Sequence, residues 1–402
     1  MVTSAEKYPK FINEYWTSRQ RQANSLHEIS YRGCFKAQLP RFFIELLTCP
    51  GDTVYDPFGG RGTTALEAAI LGRNIISNDI NPLSKILSYP RLRVPDKEAL
   101  RTRLSEIKMD YDARADRDLS MFFHPKTEAE IVSLKNYLSE RKKAGKEDDL
   151  DSWIRMVATN RLTGHSPGFF SVYTLPPNQA ALPQSQIKIN EKLGQKPEYR
   201  DVRGIIMKKS VQLTKDVPDP LLLRLLEASA NARFLTTDAR LTHDLIEDES
   251  VHLTVTSPPF LDVVQYADDN WLRCWFNSID SSEVSRKITR VKTVEQWSLI
   301  MRGVFQELYR ITKKEGWVAF EVGEVRNGKI RLDEHVIPIG LAAGFNCIGT
   351  LINEQRFTKT ANIWGIKNND KGTNTNRIVL FTKESNFFRS RTVQLNPISK
   401  EP

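Results

Sequence analysis

The residues with most chemical content lie in two short runs, Asp56-Pro57-Phe58-Gly59-Gly60-Arg61-Gly62-Thr63-Thr64 and Thr256-Ser257-Pro258-Pro259-Phe260. In the first run, Gly59, Gly60 and Gly62 open backbone angles closed to other residues and let a ligand approach the main chain. β-prone Thr53 to Tyr55 precedes the run and helix-prone Ala65 to Leu71 follows it, with Gly72 able to close the helix, so it reads as the turn between a strand and a helix. No Lys-Ser or Lys-Thr follows the last glycine, and the spacing is not Gly-x-Gly-x-x-Gly, which argues against a nucleoside triphosphate. The second run leaves a β-prone stretch, Leu253 to Thr256. Its two prolines lack N–H groups and fix their own φ angles, so the neighbouring carbonyls point in constrained directions beside an aromatic ring. Alone, such a run is equally a rigid turn after a strand, and a lone glycine turn is equally an ordinary α/β connection.

The elements that must position these runs are those of a βαβ unit. Asn74 to Ile80 reads as the next strand and ends in Asp79, at the spacing where an acid reaches a ribose. Turn, helix, strand and terminal acid therefore occur in the order that a nucleoside-bearing cofactor needs.

Taken together, Asp56-Pro57-Phe58-Gly59-x-x-Gly62-Thr63-Thr64 and Thr256-Ser257-Pro258-Pro259-Phe260 resemble the S-adenosylmethionine-dependent DNA amino-methyltransferases, and the Ser-Pro-Pro-aromatic form looks most like their N4-cytosine branch. Adenine-N6 members more often carry Asp or Asn before the prolines. The resemblance covers roughly residues 31 to 90 and 232 to 383. It implies a seven-stranded Rossmann-like α/β sheet and S-adenosylmethionine as cofactor. It implies cofactor contacts from Asp56, Pro57, Phe58, Gly59, Gly62, Thr63, Thr64, Asp79 and Asp238. Phe35 joins them from a loosely matching segment, Phe35 to Pro40, that in the family packs beside the methionine end of the cofactor. It also implies a catalytic turn of Ser257, Pro258, Pro259 and Phe260. There, hydrogen bonds accepted from an exocyclic amine by the Ser257 hydroxyl and the Ser257 or Pro258 carbonyl would localise its lone pair, and Phe260 would stack on a base turned out of the duplex. Carbon-5 chemistry needs a cysteine after proline, and the chain has no Pro-Cys pair.

The 402 residues suffice for one large α/β domain with an insertion. No apolar run is long enough to cross a bilayer and the first residues lack a signal-peptide core, so a cytoplasmic protein, nucleoid-associated in a prokaryote or a phage-infected cell, is expected. Cys34, Cys49, Cys274 and Cys347 have no metal spacing, so no metal is expected. Lys and Arg number 58 against 49 Asp and Glu, a net charge of +9 that favours a polyanionic partner without proving one. The expected partners are double-stranded DNA with a flipped-out target base and a cognate restriction nuclease.

The α/β alternation lapses between the second and third strands of the expected sheet. The division expected is residues 1–89, the first part of the methyltransferase domain; 90–231, a mostly helical insert; and 232–402, the second part with the catalytic turn and a terminal hairpin. Leu100 to Ala115, Thr127 to Lys143 and Asp151 to Asn160 read as helices, and Arg161 to Asn178 as a structured loop of glycine, proline and aromatics. Basic residues dominate Ile187 to Lys215, and the insert reads as a target-recognition region or as a solvated helical insert. Thr293 and Gln296 form a capping-box pattern before a long amphipathic helix. Tyr8, Phe11, Tyr15 and Trp16 stand at near-helical spacing and are expected to pack on the main domain. Three other readings remain: an adenine-N6 DNA methyltransferase, an RNA guanine-N2 methyltransferase sharing the Asp-Pro-Phe-Gly turn, and a non-catalytic DNA-binding protein on the same scaffold.

Overall fold

Alternating apolar side chains in the strands bury both faces of one sheet. Val54, Ile75, Leu253, Val255, Ala319, Leu351 and Ile378 enter one core, while Tyr55, Ile76, Val318, Phe320, Val379 and Phe381 enter the other. In this computed structural model residues 8–16, 23–174, 180–259, 269–288, 291, 293–325, 330–354 and 375–384 are described.

The chain runs from β1 (Lys10–Asn13) through α1 (Gln38–Leu47) to β2 (Thr53–Asp56), α2 (Thr63–Ile70), β3 (Asn74–Asn78) and α3 (Leu83–Ser88). The insert follows as α4 (Lys97–Glu106), α5 (Pro125–Lys143), α6 (Asp149–Arg161), α7 (Pro183–Leu193), α8 (Val202–Leu213) and α9 (Asp219–Asn231). The sheet resumes with β4 (Arg233–Leu235) and β5 (Val251–Thr256), then α10 (Trp271–Phe276), α11 (Ser281–Lys287), α12 (Val294–Ile311) and β6 (Thr312–Val322). A short ribbon of β7 (Glu324–Val325) and β8 (Ile330–Arg331), then α13 (Leu332–Ala343), β9 (Asn346–Glu354) and β10 (Thr375–Thr382), complete it.

The strand order is β1-β9-β10-β6-β5-β2-β3-β4, with β10 antiparallel to both neighbours and every other pairing parallel. From β2 the chain steps outward to β3 and β4, then returns to place β5 on the other side of β2. The reversal between β2 and β5 is the switch point beside whose carboxyl ends ligands of open α/β sheets bind.

The seven strands expected from the family are joined by an eighth. Tyr8, Phe11, Tyr15 and Trp16 do not share a helix; Lys10–Asn13 instead pairs in parallel with β9. Asn353 fixes the turn that follows, its Oδ1 accepting from the Tyr15 N–H at 2.7 Å and the Trp16 N–H at 3.2 Å. Those two rings then pack on Phe42 of α1. The helix expected over Leu100 to Ala115 stops at Glu106, because buried Ile107 turns extended at φ −66° and ψ 113°. Thr293 caps α12, accepting from the Gln296 N–H at 3.2 Å.

The insert shares its core with the sheet. Trp153, Ile154, Val157, Ile206 and Leu225 are buried in the same cluster as Leu66 and Ala69 of α2. α9 packs on α2, and α6 on α3.

Candidate active site

Gly59 begins the cofactor-type turn where the end of β2 passes tightly over β3. A Cβ on Gly59 would stand 2.4 Å from Ser77 Oγ, so only glycine fits. Gly62 has φ +74° and a Cβ there would stand 2.2 Å from Ser88 Oγ, so this position needs glycine twice over. The Gly59 N–H donates to Asn78 O at 2.8 Å, and the Gly62 N–H to Gly59 O at 2.6 Å. Thr63 and Thr64 then open α2, both buried. Pro57 is buried and Phe58 half-buried against the second core.

Asp79 sits just past β3, and each carboxylate oxygen receives one backbone donor: Gly60 N–H at 2.8 Å and Asn81 N–H at 2.8 Å. Burial raises its carboxyl above the ordinary range, while those two bonds lower it. Each oxygen keeps a lone pair for a ligand. Beside it, the buried Nδ2 of Asn81 has no acceptor among the described residues, although its Oδ1 takes the Leu83 N–H at 3.0 Å. Paired acceptors next to an orphaned donor fit the hydroxyls and ring of a ribosyl group.

Asp56 ties the glycine turn to the neighbouring strand. It is 2% exposed, and its Oδ1 accepts from Thr256 Oγ1 at 2.6 Å and from the Phe58 N–H at 3.1 Å. Thr64 Oγ1 donates to Val255 O at 3.1 Å. The glycine turn is thus stitched to the strand that delivers the Ser-Pro-Pro turn. Burial pushes the Asp56 carboxyl up to about 6, against the hydrogen bonds from Thr256, Phe58 and Thr64.

On the other side of the switch point, Ser257 follows β5 beside Glu321 of β6, since Thr256 pairs with Phe320. Glu321 is 7% exposed and accepts from Ser257 and from Asn376 Nδ2. Burial raises its carboxyl, and those two donors lower it. The Pro259 carbonyl accepts from Trp297 Nε1 at 3.0 Å, which anchors the turn on α12. Pro258 is buried between them. Phe260 lies outside the described residues.

Two further expected residues have protein partners. Asp238 is held by Arg240 through two bonds, at 2.9 and 2.6 Å, and that pairing keeps its carboxyl low. Phe35 is half-buried against the first core. Asn78, Glu321 and Trp297 were not singled out by sequence reasoning. Asn78 is 1% exposed, and its side chain bonds Pro57 O at 3.2 Å, Thr237 O at 3.0 Å and the Thr237 N–H at 3.1 Å. It thereby holds three strand ends in register. The signal for both polar residues was an Asn or Glu near the carboxyl end of a strand, after a run of apolar residues in Glu321's case. Among the described residues no group of three His, Cys, Asp or Glu is placed to hold a metal, and no helix is long and apolar enough to cross a membrane.

Residues 3–85 match a family model described as DNA methylase, the N6/N4 type. The type II methyltransferase M.BsoBI of Geobacillus stearothermophilus is 39% identical over 95 residues, covering 21% of this chain and 19% of its own length. M.MjaII of Methanocaldococcus jannaschii is 30% identical over 89 residues, covering 22% and 16%. M.PvuII of Proteus hauseri is 50% identical over 48 residues, covering 12% and 14%. The chain spans less than a fifth of the length of each of these curated relatives. Among solved structures, a DNA modification methylase of Thermus thermophilus in complex with S-adenosyl-L-methionine overlaps 39% of this chain and 54% of its own at 20% identity, with a TM-score of 0.24. The rRNA methyltransferase aviRa of Streptomyces viridochromogenes overlaps 89% of each chain at 11% identity, with a TM-score of 0.34. Through the segment that bears the glycine turn and Asp79, the chain is similar to DNA methylases of the N6/N4 type and to type II methyltransferases.

Proposed function

We propose that this protein is a DNA methyltransferase that moves a methyl group from S-adenosylmethionine to an exocyclic amine of a base, cytosine N4, in a restriction-modification or related system. The carrying observation is the joining of the glycine turn to the Ser-Pro-Pro turn at the switch point, through Thr256 and Asp56. Asp79, Asn81 and the main chain of Gly59 to Gly62 are the groups suited to hold the cofactor, which supplies an electrophilic methyl on a sulfonium.

The chain's own part is to make a poor nucleophile attack. An exocyclic amine is conjugated into its ring, so its lone pair must be localised and aimed. Ser257 donates its hydroxyl hydrogen bond to Glu321, which leaves the hydroxyl's lone pairs to accept an amine N–H. The Ser257 and Pro258 carbonyls add acceptors in directions fixed by the prolines and by the Trp297 bond to Pro259. Glu321, raised by burial, is the base to which the amine's surplus proton passes through the Ser257 hydroxyl. In this reading Phe260 stacks on the flipped base, a contact of about 1–3 kcal/mol. Double-stranded DNA is the substrate, and a nuclease of matching sequence the partner. The choice of cytosine N4 over adenine N6 rests on Ser257 standing where N6 enzymes more often have Asp or Asn.

The test is to incubate the protein with labelled methyl donor and mixed duplex DNA, digest to nucleosides and weigh the product. N4-methylcytosine is expected. N6-methyladenine would overturn the base assignment, and label in RNA alone the substrate class.

A further inference from the structure

The carbonyls of residues 26 to 30 form a row of acceptors into which arginines from separate elements reach. Arg91 donates to Leu26 O at 3.2 Å, Arg61 to Ile29 O at 2.9 Å, and Arg273 to Ser30 O at 3.1 Å. Asn160 Nδ2 reaches the same Ser30 O at 2.9 Å from the end of α6. The insert and α10 therefore meet at Ser30, and the neighbouring Tyr31 ring approaches the cofactor turn, 3.7 Å from where a Gly60 Cβ would be.

At that junction lie two guanidinium groups that have left water without meeting a carboxylate. Arg161 is 8% exposed and Arg273 6%. Arg161 donates to Asn160 O at 3.2 Å and to Asn160 Oδ1 at 2.6 Å; Arg273 donates to Ser30 O and to Asn270 Oδ1, the latter at 2.8 Å. Among the described residues neither is paired with a carboxylate within ion-pair distance, and burial together with the nearby Arg273 guanidinium depresses the pKa of Arg161. The acids on surrounding elements are engaged: Asp269 by Arg32 at 2.9 Å, and Glu28 by Lys215 at 3.4 Å and Lys209 at 3.7 Å. Desolvating a cation with only neutral partners is unfavourable, and an arriving anion relieves it.

The wall of this corner is an aromatic platform. The Arg161 guanidinium lies 3.9 Å from the centre of the Phe169 ring, and His165 stands 6.0 Å from the same ring. The Phe170 N–H bonded to Arg161 O at 2.8 Å and the Thr174 N–H bonded to Gly164 O at 3.1 Å fix the loop that carries it. A Cβ on Gly164 would meet the Phe169 ring at 2.4 Å, so glycine is what lets the ring lie there. His165, Ser166 and Pro167 are exposed, so the corner opens to solvent on the insert side.

We propose that Arg161 and Arg273 form an oxyanion subsite for a backbone phosphate of the nucleic-acid strand, walled by the Arg161 and Phe169 stack. The proposal rests on the reading of the chain as a DNA-modifying enzyme. Guanidinium forks match phosphate oxygens, and a ring stacked on one is the usual companion of a bound strand. A cofactor carboxylate would offer the same chemistry, but Arg161 and Phe169 belong to the insert and its open corner. A phosphate held there would fix the strand's register against the catalytic half.

The experiment is a salt titration of binding to a labelled duplex by fluorescence anisotropy, with calorimetric binding of S-adenosylhomocysteine measured on the same samples. Arg161→Gln and Arg273→Gln should each weaken DNA binding about tenfold and flatten the slope of log K against log salt by about 0.9, with cofactor affinity unchanged. A parent-like DNA slope in both variants overturns the proposal, because the pair then serves packing alone. Loss of cofactor affinity with an unchanged DNA slope also overturns it, and assigns the pair to the cofactor's carboxylate. A parent that binds S-adenosylhomocysteine but shows no salt-dependent DNA binding defeats the DNA reading itself and this subsite with it. Should Arg161→Gln fail to fold, Arg161→Lys decides: charge without the flat fork should keep the slope and lose affinity severalfold, and parent-like affinity overturns the assignment.

Discussion

Replacing Thr256 by valine keeps the branched shape and removes the hydroxyl that bridges the two turns. That hydroxyl donates to Asp56 Oδ1 at 2.6 Å, with Thr256 at 0% and Asp56 at 2% exposure, so solvent screens it little. A hydrogen bond to a charged acceptor contributes about 1.5–3 kcal/mol and one between neutral groups about 0.5–1.5 kcal/mol. The difference, roughly 1–1.5 kcal/mol, corresponds to about one pKa unit. Asp56 already titrates at about 6, because burial raises it from 3.8, so in Thr256→Val it should move up by about one unit. A carboxyl whose folded pKa is raised stabilises fully below its unfolded value and loses that contribution as pH climbs through the folded one. The loss should therefore run to higher pH in the variant and grow by about 1–1.5 kcal/mol. Urea unfolding of parent and variant at about pH 5 and about pH 8 reads the double difference, with a valine cost of about 2–3 kcal/mol at the higher pH and about 1 kcal/mol at the lower. Equal costs at the two pH values, within about 0.3 kcal/mol, would refute the ionised bridge. Asp56→Asn supplies the control, since it should abolish this part of the pH dependence altogether.

Ser257→Ala and Glu321→Gln should each lower kcat by about 10²–10⁴-fold while S-adenosylhomocysteine affinity stays at the parent level; single-turnover methylation and calorimetry separate the two effects, and an unchanged kcat for Glu321→Gln removes it from the proton path. Asp79→Ala should weaken cofactor binding by about tenfold or more, because it removes the acceptors suited to a ribose and leaves the Gly60 and Asn81 N–H groups without partners. Gly59→Ala should lose about 1–3 kcal/mol through its clash with Ser77 Oγ, and adding Ser77→Gly should restore most of it in thermal melts; failure of the second change to rescue would place the crowding at Asn78 O and Ser84 Oγ instead.

Both turns were readable because each is written in local backbone demands. Gly59 and Gly62 are required by close approach and positive φ, and the Ser-Pro-Pro run by proline geometry. Asp79 followed from its distance after the turn. What could not be read is the stitching between segments. Thr256 and Asp56 lie 200 positions apart, Asn78 bonds Thr237 from 159 away, and nothing in either neighbourhood announces the partner. Glu321 looked like one polar residue in a strand until its neighbour proved to be Ser257. The Arg240 bond to Asp238 is local, two residues on, and was not read either. The N-terminal aromatics mimic helical spacing, yet the open edge of β9 imposed an extended chain on Lys10–Asn13.

The common interior of insert and sheet limits how far the insert can be replaced as a unit. Trp153 and Leu225 lie in the same cluster as Leu66 and Ala69, so a foreign segment grafted between residues 90 and 231 would arrive with an inner surface shaped for another α2. Changes that leave the shared interior intact are therefore confined to outward-facing side chains such as His165 and Ser166.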